Sequence, residues 1–474
     1  MVIRSPLPDL EIPRLGLLDY IFPNIPDSDP SSRLDDESPI WIDAEDSSHT
    51  ISRRQAVDWT QRLGSYLSGR GVKQGDVCLT LSQNHIFMPI AFYAIVGCGA
   101  AFSGLNPDYT VPELAYQIKK TRAKIILVEP ESAQAGAAAT LQAGLTEDIL
   151  VLFSDRHYGP THGIPDWRDL VPSIAKGWAW LNLTPSESIS TTAVINFSSG
   201  TTGLPKGVCV SHRNLIANVE QTQATLGFSP SERWLVFLPM FHAYGQIYTF
   251  MFAPRLGIRT YIMRRFKFID YLNAIQKYRI NRLHSIPPVL LLFAKRPEVG
   301  DFDLSSVENI LCVSAPLSTE LQTSVHERLQ RRARVAQGWG MTEATCAATL
   351  IPRSWIDHVG TVGVLIPNME AKLIGEDDTE VVSPGVKREI HLRGPNVALG
   401  YFENQEATRD TFDDAGWLRT GDIAHFDENS YFRIVDRRKE LIKVNAFQVS
   451  PAELEAVLLK NEDIADATVI GIKS

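Results

Sequence analysis

The sequence is poor in cysteine. Its five cysteines, Cys78, Cys98, Cys209, Cys312 and Cys346, are odd in number, lie far apart and form no C-x-x-C pair. That argues against a disulfide framework and a zinc site, and fits a reducing compartment. Basic charge is not in excess either: 46 Lys and Arg stand against 55 Asp and Glu, a formal net charge of −9. This is the wrong sign for neutralising phosphate backbones over a broad surface, so nucleic acid is not an expected partner. No apolar run reaches the ~20 residues of a membrane span. Ile86 to Phe102 is uncharged over 17 residues, but it contains Pro89, Gly97 and Gly99 and is expected to hold a buried helix. No apolar leader follows Arg4, and the end Gly-Ile-Lys-Ser is not a Ser-Lys-Leu peroxisomal signal, so a cytoplasmic location is expected.

What is present is an ordinary globular composition over 474 residues, 44% hydrophobic with 31 Gly and 28 Pro. At about 150 residues per unit this allows roughly three compact units and an enzyme-sized core. From Thr50 to Leu350 helical and strand patterns alternate, as in a doubly wound α/β sheet. Arg53 to Gly69, Asn214 to Leu226 and Tyr271 to Tyr278 read as helices. Ala123 to Val128, Ile149 to Phe153, Ala193 to Phe197, Trp234 to Leu238, Asn309 to Val313 and Arg334 to Gln337 read as strands. After Pro352 short β-like runs with frequent turns take over, among them Ala371 to Ile374, Glu389 to Leu392 and Tyr431 to Val435. The expected organisation is an α/β core over 1–350, a β-rich subdomain over 351–436, and the start of a small α+β lid over 437–474.

The segment Asn196 to His212, N-F-S-S-G-T-T-G-L-P-K-G-V-C-V-S-H, carries the clearest chemistry. A strand leads into a loop with Ser198, Ser199, Thr201, Thr202, three glycines (Gly200, Gly203, Gly207) and Lys206, with a helix beyond. Glycines let backbone N–H groups approach phosphate oxygens, hydroxyls donate further hydrogen bonds, and lysine adds a mobile point charge. The spacing is not that of a Walker A loop, because Pro205, Lys206 and Gly207 stand where Gly-Lys-Ser/Thr would be needed.

With this loop, P-M-F-H-A-Y-G at Pro239 to Gly245, Q-G-W-G-M-T-E at Gln337 to Glu343, R-T-G-D at Arg419 to Asp422 and D-R-R-K-E-L-I-K at Asp436 to Lys443 follow in order. The chain thereby resembles the adenylate-forming acyl-CoA synthetases, in particular the 4-coumarate:CoA ligases, from about Thr50 to its end. The resemblance implies a ligase that uses ATP, Mg²⁺ and coenzyme A, with a small-molecule carboxylic acid as the other substrate and an acyl-carrier partner left open. It implies that Ser198, Ser199, Gly200, Thr201, Thr202, Gly203 and Lys206 hold the β- and γ-phosphates. Ser314, Ala315, Pro316, Gly338, Trp339 and Gly340 would border the nucleotide, Trp339 lying against adenine. Thr342 would bond the α-phosphate, Glu343 would bind Mg²⁺, Asp422 would accept both ribose hydroxyls, and Arg437 would also reach the nucleotide. His242 would stand beside the acid's carboxylate, Lys439 would be the hinge of a rotating lid, and Lys443 keeps its family match.

The acid pocket is expected to be lined by His242, Ala243, Tyr244, Val313, Gly340 and Ala347, with His284 as a polar point or a core residue. Val313 replaces a glycine of the family pattern, and its β-branched side chain should narrow the pocket against long fatty acids. Ala446 replaces a glycine beside the pantetheine tunnel, and Asn445 an often basic residue. Only 35 residues follow Lys439, fewer than the ~50 of the smallest ordinary domains. An incomplete lid without the family's late lysine is therefore expected, and it leaves two alternatives open: an acid:CoA ligase acting on an aryl or short to medium acyl acid, or a catalytically impaired protein that binds ATP and acid.

Overall fold

The computed structural model describes residues 2–23, 36–173, 177–198, 204–355, 359–375, 379–381, 383–438, 442–444, 447–449, 451–458, 464 and 467–470. Strict alternation in two parallel sheets sets the layers. In the first sheet Cys78, Ile125 and Leu127 face one apolar cluster, while Val77, Leu79, Ile126 and Val128 face another. In the second, Trp234, Val236 and Leu311 point to the cluster that also receives Cys78, whereas Leu235, Ile310 and Cys312 point away. A strand with both faces buried must be apolar on both, which is why these runs are continuous rather than alternating.

The first sheet runs in the order Gly400–Tyr401, Lys206–Ser211, Thr192–Ser198, Ala101–Leu105, Val77–Leu81, Ile125–Val128, Leu150–Leu152. Its last five strands are parallel. Their order reverses direction at Val77–Leu81, as a doubly wound fold requires. The second sheet runs Arg334–Gln337, Asn309–Cys312, Arg282–Ser285, Arg233–Val236, Arg259–Ile262, Pro39–Asp43, Thr50–Ser52, with only the last strand antiparallel. A third, antiparallel sheet consists of Ile3–Arg4, Glu370–Ile374, Arg388–Arg393, Leu418–Phe426 and Phe432–Arg437, with Glu380–Val381 beside it. The N-terminal strand thus completes a sheet made from residues beyond 351, and Gly400–Tyr401 completes one made before 350.

Between the parallel sheets lies a buried helical layer. All ten residues of Met88–Gly97 are buried, within the uncharged run expected to hold such a helix. The π-helix Gln246–Phe252 is also wholly buried, and Phe250 meets Phe92 at 5.2 Å between ring centroids. The third member, His212–Leu226, starts at Ser211, whose hydroxyl accepts from the Asn214 N–H at 3.1 Å, and stops at Gly227 in the left-handed conformation (φ 58°).

Two local expectations need correction. Lys206–Ser211 is a strand antiparallel to Thr192–Ser198, pairing Lys206 with Ser198, where loop running on to a helix was expected. The run Trp234 to Leu238 ends as a strand at Val236, because Phe237 and Leu238 turn their carbonyls to the side chain of Asn84. At the C-terminal end, Pro451–Leu458 is a helix, and the described residues 467–470 form no strand.

His212 gives the fold a pH dependence. Its Nδ1 accepts the Leu17 N–H at 3.1 Å, and burial pushes its pKa from the usual 6.5 down to about 4. The unfolded chain therefore binds this proton first as pH falls, and stability present above pH 6.5 is lost on the way to pH 4, by up to about 3 kcal/mol. Urea unfolding at pH 7 and pH 5 should show this loss, and His212→Gln should flatten the difference.

Candidate active site

The motif residues gather where the parallel strands of both sheets end, the position open α/β sheets use for ligands. A cavity of about 980 Å³ lies there. From the end of Asn309–Cys312 it receives Val313, Ser314, Ala315 and Pro316, and from the end of Arg334–Gln337 it receives Gly338, Trp339, Gly340 and Thr342. The loop after Arg233–Val236 contributes His242, Ala243 and Tyr244, the strand Ala347–Leu350 contributes Ala347, and the third sheet contributes Asp422 and Arg437. A groove of similar size, about 990 Å³, between Leu10 to Arg14 and Gly394 to Leu399, contains none of these motif residues.

Antiparallel register sets Asp422 opposite Arg437. The Arg437 Nε is 3.5 Å from Asp422 Oδ1, and the Trp339 indole N–H donates to Oδ2 at 2.9 Å. The carboxylate is only 5% exposed, so these two donors fix its plane as well as offset its desolvation. The expected adenine platform and the expected ribose acceptor are thus one bonded unit. Gly340 is obligatory for a packing reason: a Cβ there would stand 1.7 Å from the Cys346 carbonyl oxygen.

Next to Thr342, at the end expected to take the phosphates, Glu343 is buried and does not itself line the cavity, nor do Ser198, Lys206 and Tyr401 around it. Its Oε1 accepts from Ser198 Oγ at 3.0 Å and from the Tyr401 hydroxyl at 2.9 Å. Lys206 Nζ lies 5.1 Å from the Tyr401 ring centroid. With Oε1 occupied, Oε2 is the hard oxygen left for a divalent cation among the described residues, and such a donor suits Mg²⁺. Burial and the neighbouring carboxylate raise the Tyr401 hydroxyl above its ordinary pKa, keeping it a donor at neutral pH. Tyr401 was not anticipated from sequence. Ser199, Gly200, Thr201, Thr202, Gly203 and Lys439 lie outside the described residues, as do Asn445 and Ala446. Lys443 lies on the strand Ile442–Val444, its side chain outside the description.

At the other end the walls are apolar and aromatic. Tyr244 and Tyr248 stack at 4.2 Å, and the Tyr244 hydroxyl is hydrogen-bonded to His284 Nδ1 at 2.6 Å. His284 does not itself line the cavity. Burial and Arg282 push its pKa well down, so it stands neutral behind Tyr244. His242 lines the cavity with its ring 4.5 Å from that of Phe241, and burial lowers its pKa too. Asn84 holds this loop by accepting from the Met240 N–H at 2.9 Å. Asn196 and Gln246 exchange two hydrogen bonds at 3.0 and 2.9 Å beneath it.

Residues 32–402 match the model of the family described as AMP-binding enzyme. The chain is 36% identical over 442 residues to the acyl-CoA synthetase ACTT5 of Alternaria alternata, covering 92% of this chain and 76% of that protein. It is 36% identical over 445 residues to the probable 4-coumarate–CoA ligase 1 of Dictyostelium discoideum, covering 90% and 78%. In fold it resembles the anthranilate CoA ligase AuaEII solved with anthranoyl-AMP, with a TM-score of 0.86 at 22% identity, covering 98% of this chain and 86% of that one. The chain belongs to the AMP-binding enzyme family. Within it, the chain is an acid–thiol ligase similar to the 4-coumarate–CoA ligases, a class that uses ATP, Mg²⁺ and coenzyme A. No helix among the described residues is long and apolar enough to cross a membrane.

Trp339→Phe keeps an aromatic face and removes only the N–H to Asp422. Calorimetry should show ATP binding weakened about tenfold, equivalent to about 1.4 kcal/mol. An unchanged dissociation constant would mean that the Trp339 N–H is not needed to orient the carboxylate.

Proposed function

We propose that the chain activates an aryl or short to medium acyl carboxylic acid as its acyl adenylate and then transfers the acyl group to coenzyme A. The observation that carries this reading is one cavity lined both by acidic and hydroxyl-bearing side chains (Asp422, Asp436, Ser314, Thr342) and by aromatic ones (Tyr244, Tyr248), with His242 in the same wall. In the first step a carboxylate oxygen of the acid attacks the α-phosphorus of ATP, and the bond to pyrophosphate breaks. Little covalent chemistry falls to the protein, whose work is alignment and charge balance. Asp422 accepts the ribose hydroxyls, Trp339 covers adenine, and Thr342 bonds the α-phosphate. Lys206 and the segment Ser198 to Gly203 receive the departing phosphates. Mg²⁺ held by Glu343 adds positive charge at these oxygens when bound. In the second step the thiolate of coenzyme A attacks the acyl carbonyl, AMP leaves, and Lys439 and Lys443 serve the rotation of the lid.

The acid's size follows from its walls. Val313 packs against both large apolar clusters at the cavity margin, and the stacked Tyr244 and Tyr248 offer a flat surface suited to an aryl ring. The names of the relatives, one of them a 4-coumarate–CoA ligase, support the same range.

An ATP–pyrophosphate exchange screen over aryl, alkyl and amino acids tests the reading. Exchange with aryl or short acids, followed by acyl-CoA formation when coenzyme A is added, is the expected result. Absence of exchange while calorimetry still detects ATP would make the chain a binder. Val313→Gly should raise kcat/KM for long-chain acids relative to aryl acids by about tenfold, the scale of one or two methylenes in an apolar pocket.

A further inference from the structure

We propose that Tyr401 is a positioning residue that couples the two cation positions of the phosphate end, fixing Glu343 through its hydroxyl and Lys206 through its ring. The inference rests on the function proposed above and deepens it, since neither contact is part of the motifs that led there. Two separate observations carry it: the 2.9 Å hydrogen bond to Glu343 Oε1 and the ammonium 5.1 Å from the ring centroid.

The placement comes from backbone pairing. Gly400–Tyr401 adds an antiparallel edge to Lys206–Ser211, pairing Tyr401 with Val208 and setting the ring beside Lys206. The Tyr401 N–H donates to Thr408 Oγ1 at 2.9 Å, and Phe412 meets the ring edge-on at 5.8 Å. Gly400, at φ 133°, leaves no room for a side chain, because a Cβ would meet Thr408 Cγ2 at 2.6 Å. A carboxylate with one oxygen held by two hydroxyl donors cannot swing, so its free oxygen keeps one direction toward a metal. Outer-shell donors of this kind strengthen metal sites. Lysine's four-carbon stem is flexible, and the negative face of the ring restrains its ammonium without neutralising it. The two functions of the side chain are therefore chemically separable.

The test uses the full chain with Mn²⁺ as the probe metal, counted by electron paramagnetic resonance in the presence of α,β-methylene-ATP. Metal-free pyrophosphate binding is measured alongside by calorimetry. Tyr401→Phe, which keeps the ring, should weaken Mn²⁺ about tenfold and leave metal-free pyrophosphate binding within twofold. Tyr401→Met, which removes both hydroxyl and ring, should weaken Mn²⁺ equally and pyrophosphate at least threefold. Mn²⁺ affinity within twofold of the parent in Tyr401→Phe would overturn the coupling to Glu343. Unchanged pyrophosphate binding in Tyr401→Met would overturn the coupling to Lys206. A merely structural role would lower the melting temperature of both variants without this split. If Tyr401→Met does not fold, Tyr401→Trp, which restores an aromatic face without the hydroxyl position, must reproduce the Phe pattern or the proposal fails. Neither readout needs turnover, so a failed acid screen with a positive split would sink the proposed reaction and leave the role of Tyr401 standing.

Discussion

Buried carboxamides hold this site together. Loops that leave the ends of parallel strands inside a protein carry backbone N–H and C=O groups that no ladder satisfies, and each must find a partner. Asn and Gln answer that need because one side chain offers both two donors and an acceptor. Asn84 takes the carbonyls of Phe237 and Leu238 and the N–H of Met240. On helix His212–Leu226, Asn214, Asn218 and Gln221 recur at helical spacing along one face and bond Pro395, Ala347 and Pro367 respectively. Asn396 takes the Ala344 and Ala347 carbonyls. This helix of the buried layer thus combines apolar core contacts with carboxamides that hold the backbone around the cavity.

That division of labour explains the electrostatics of the cavity. Two buried carboxylates, one lining it and one beside it, are already bonded to the protein: Asp422 to Trp339 and Arg437, Glu343 to Ser198 and Tyr401. Two histidines are held neutral by burial, His242 in the cavity wall and His284 behind Tyr244. A carboxylate substrate must give up water to enter, and a neutral, aromatic wall adds no like charge to oppose it. Donors oriented before a ligand arrives stabilise charge that develops during a reaction without having to reorganise.

Local pattern reached the layered α/β core and most strand positions, because runs such as Ile125–Val128 and Asn309–Cys312 are apolar on both faces and bounded by turns. Helix Arg53–Gly69 was legible to its ends from its amphipathic pattern, and in the structure Ser52 and Gln55 start it with a capping box. The strand Lys206–Ser211 was not, because six residues with a glycine next to a glycine-rich loop read as more loop. Site residues inside motifs could be named from sequence. Contacts between distant residues could not: the bond of Trp339 to Asp422 across 83 positions joins two residues that were each named, and Tyr401, which meets Glu343 across 58, was not named at all. A lone tyrosine in G-Y-F carries no signal until its strand is seen to join the sheet of Lys206–Ser211.

The carboxamides also bear on strain. Ser314 (φ 76°) and Thr345 (φ 66°) are non-glycine residues in the left-handed region, one beside the nucleotide end of the cavity and the other two residues after Glu343. Such conformations cost of order 1–3 kcal/mol and persist only where surroundings over-determine them. Here the determinants can be named. Gln337 clamps Leu317 through both its N–H and its carbonyl, at 2.8 and 3.1 Å, closing the loop that contains Ser314. Thr345 donates to the Asn396 carbonyl at 2.6 Å while the Asn396 side chain returns a bond to Ala344. The strained backbone therefore lies inside rings closed by buried amides, so binding energy is not needed to assemble these loops and remains available for aligning the acid with the nucleotide.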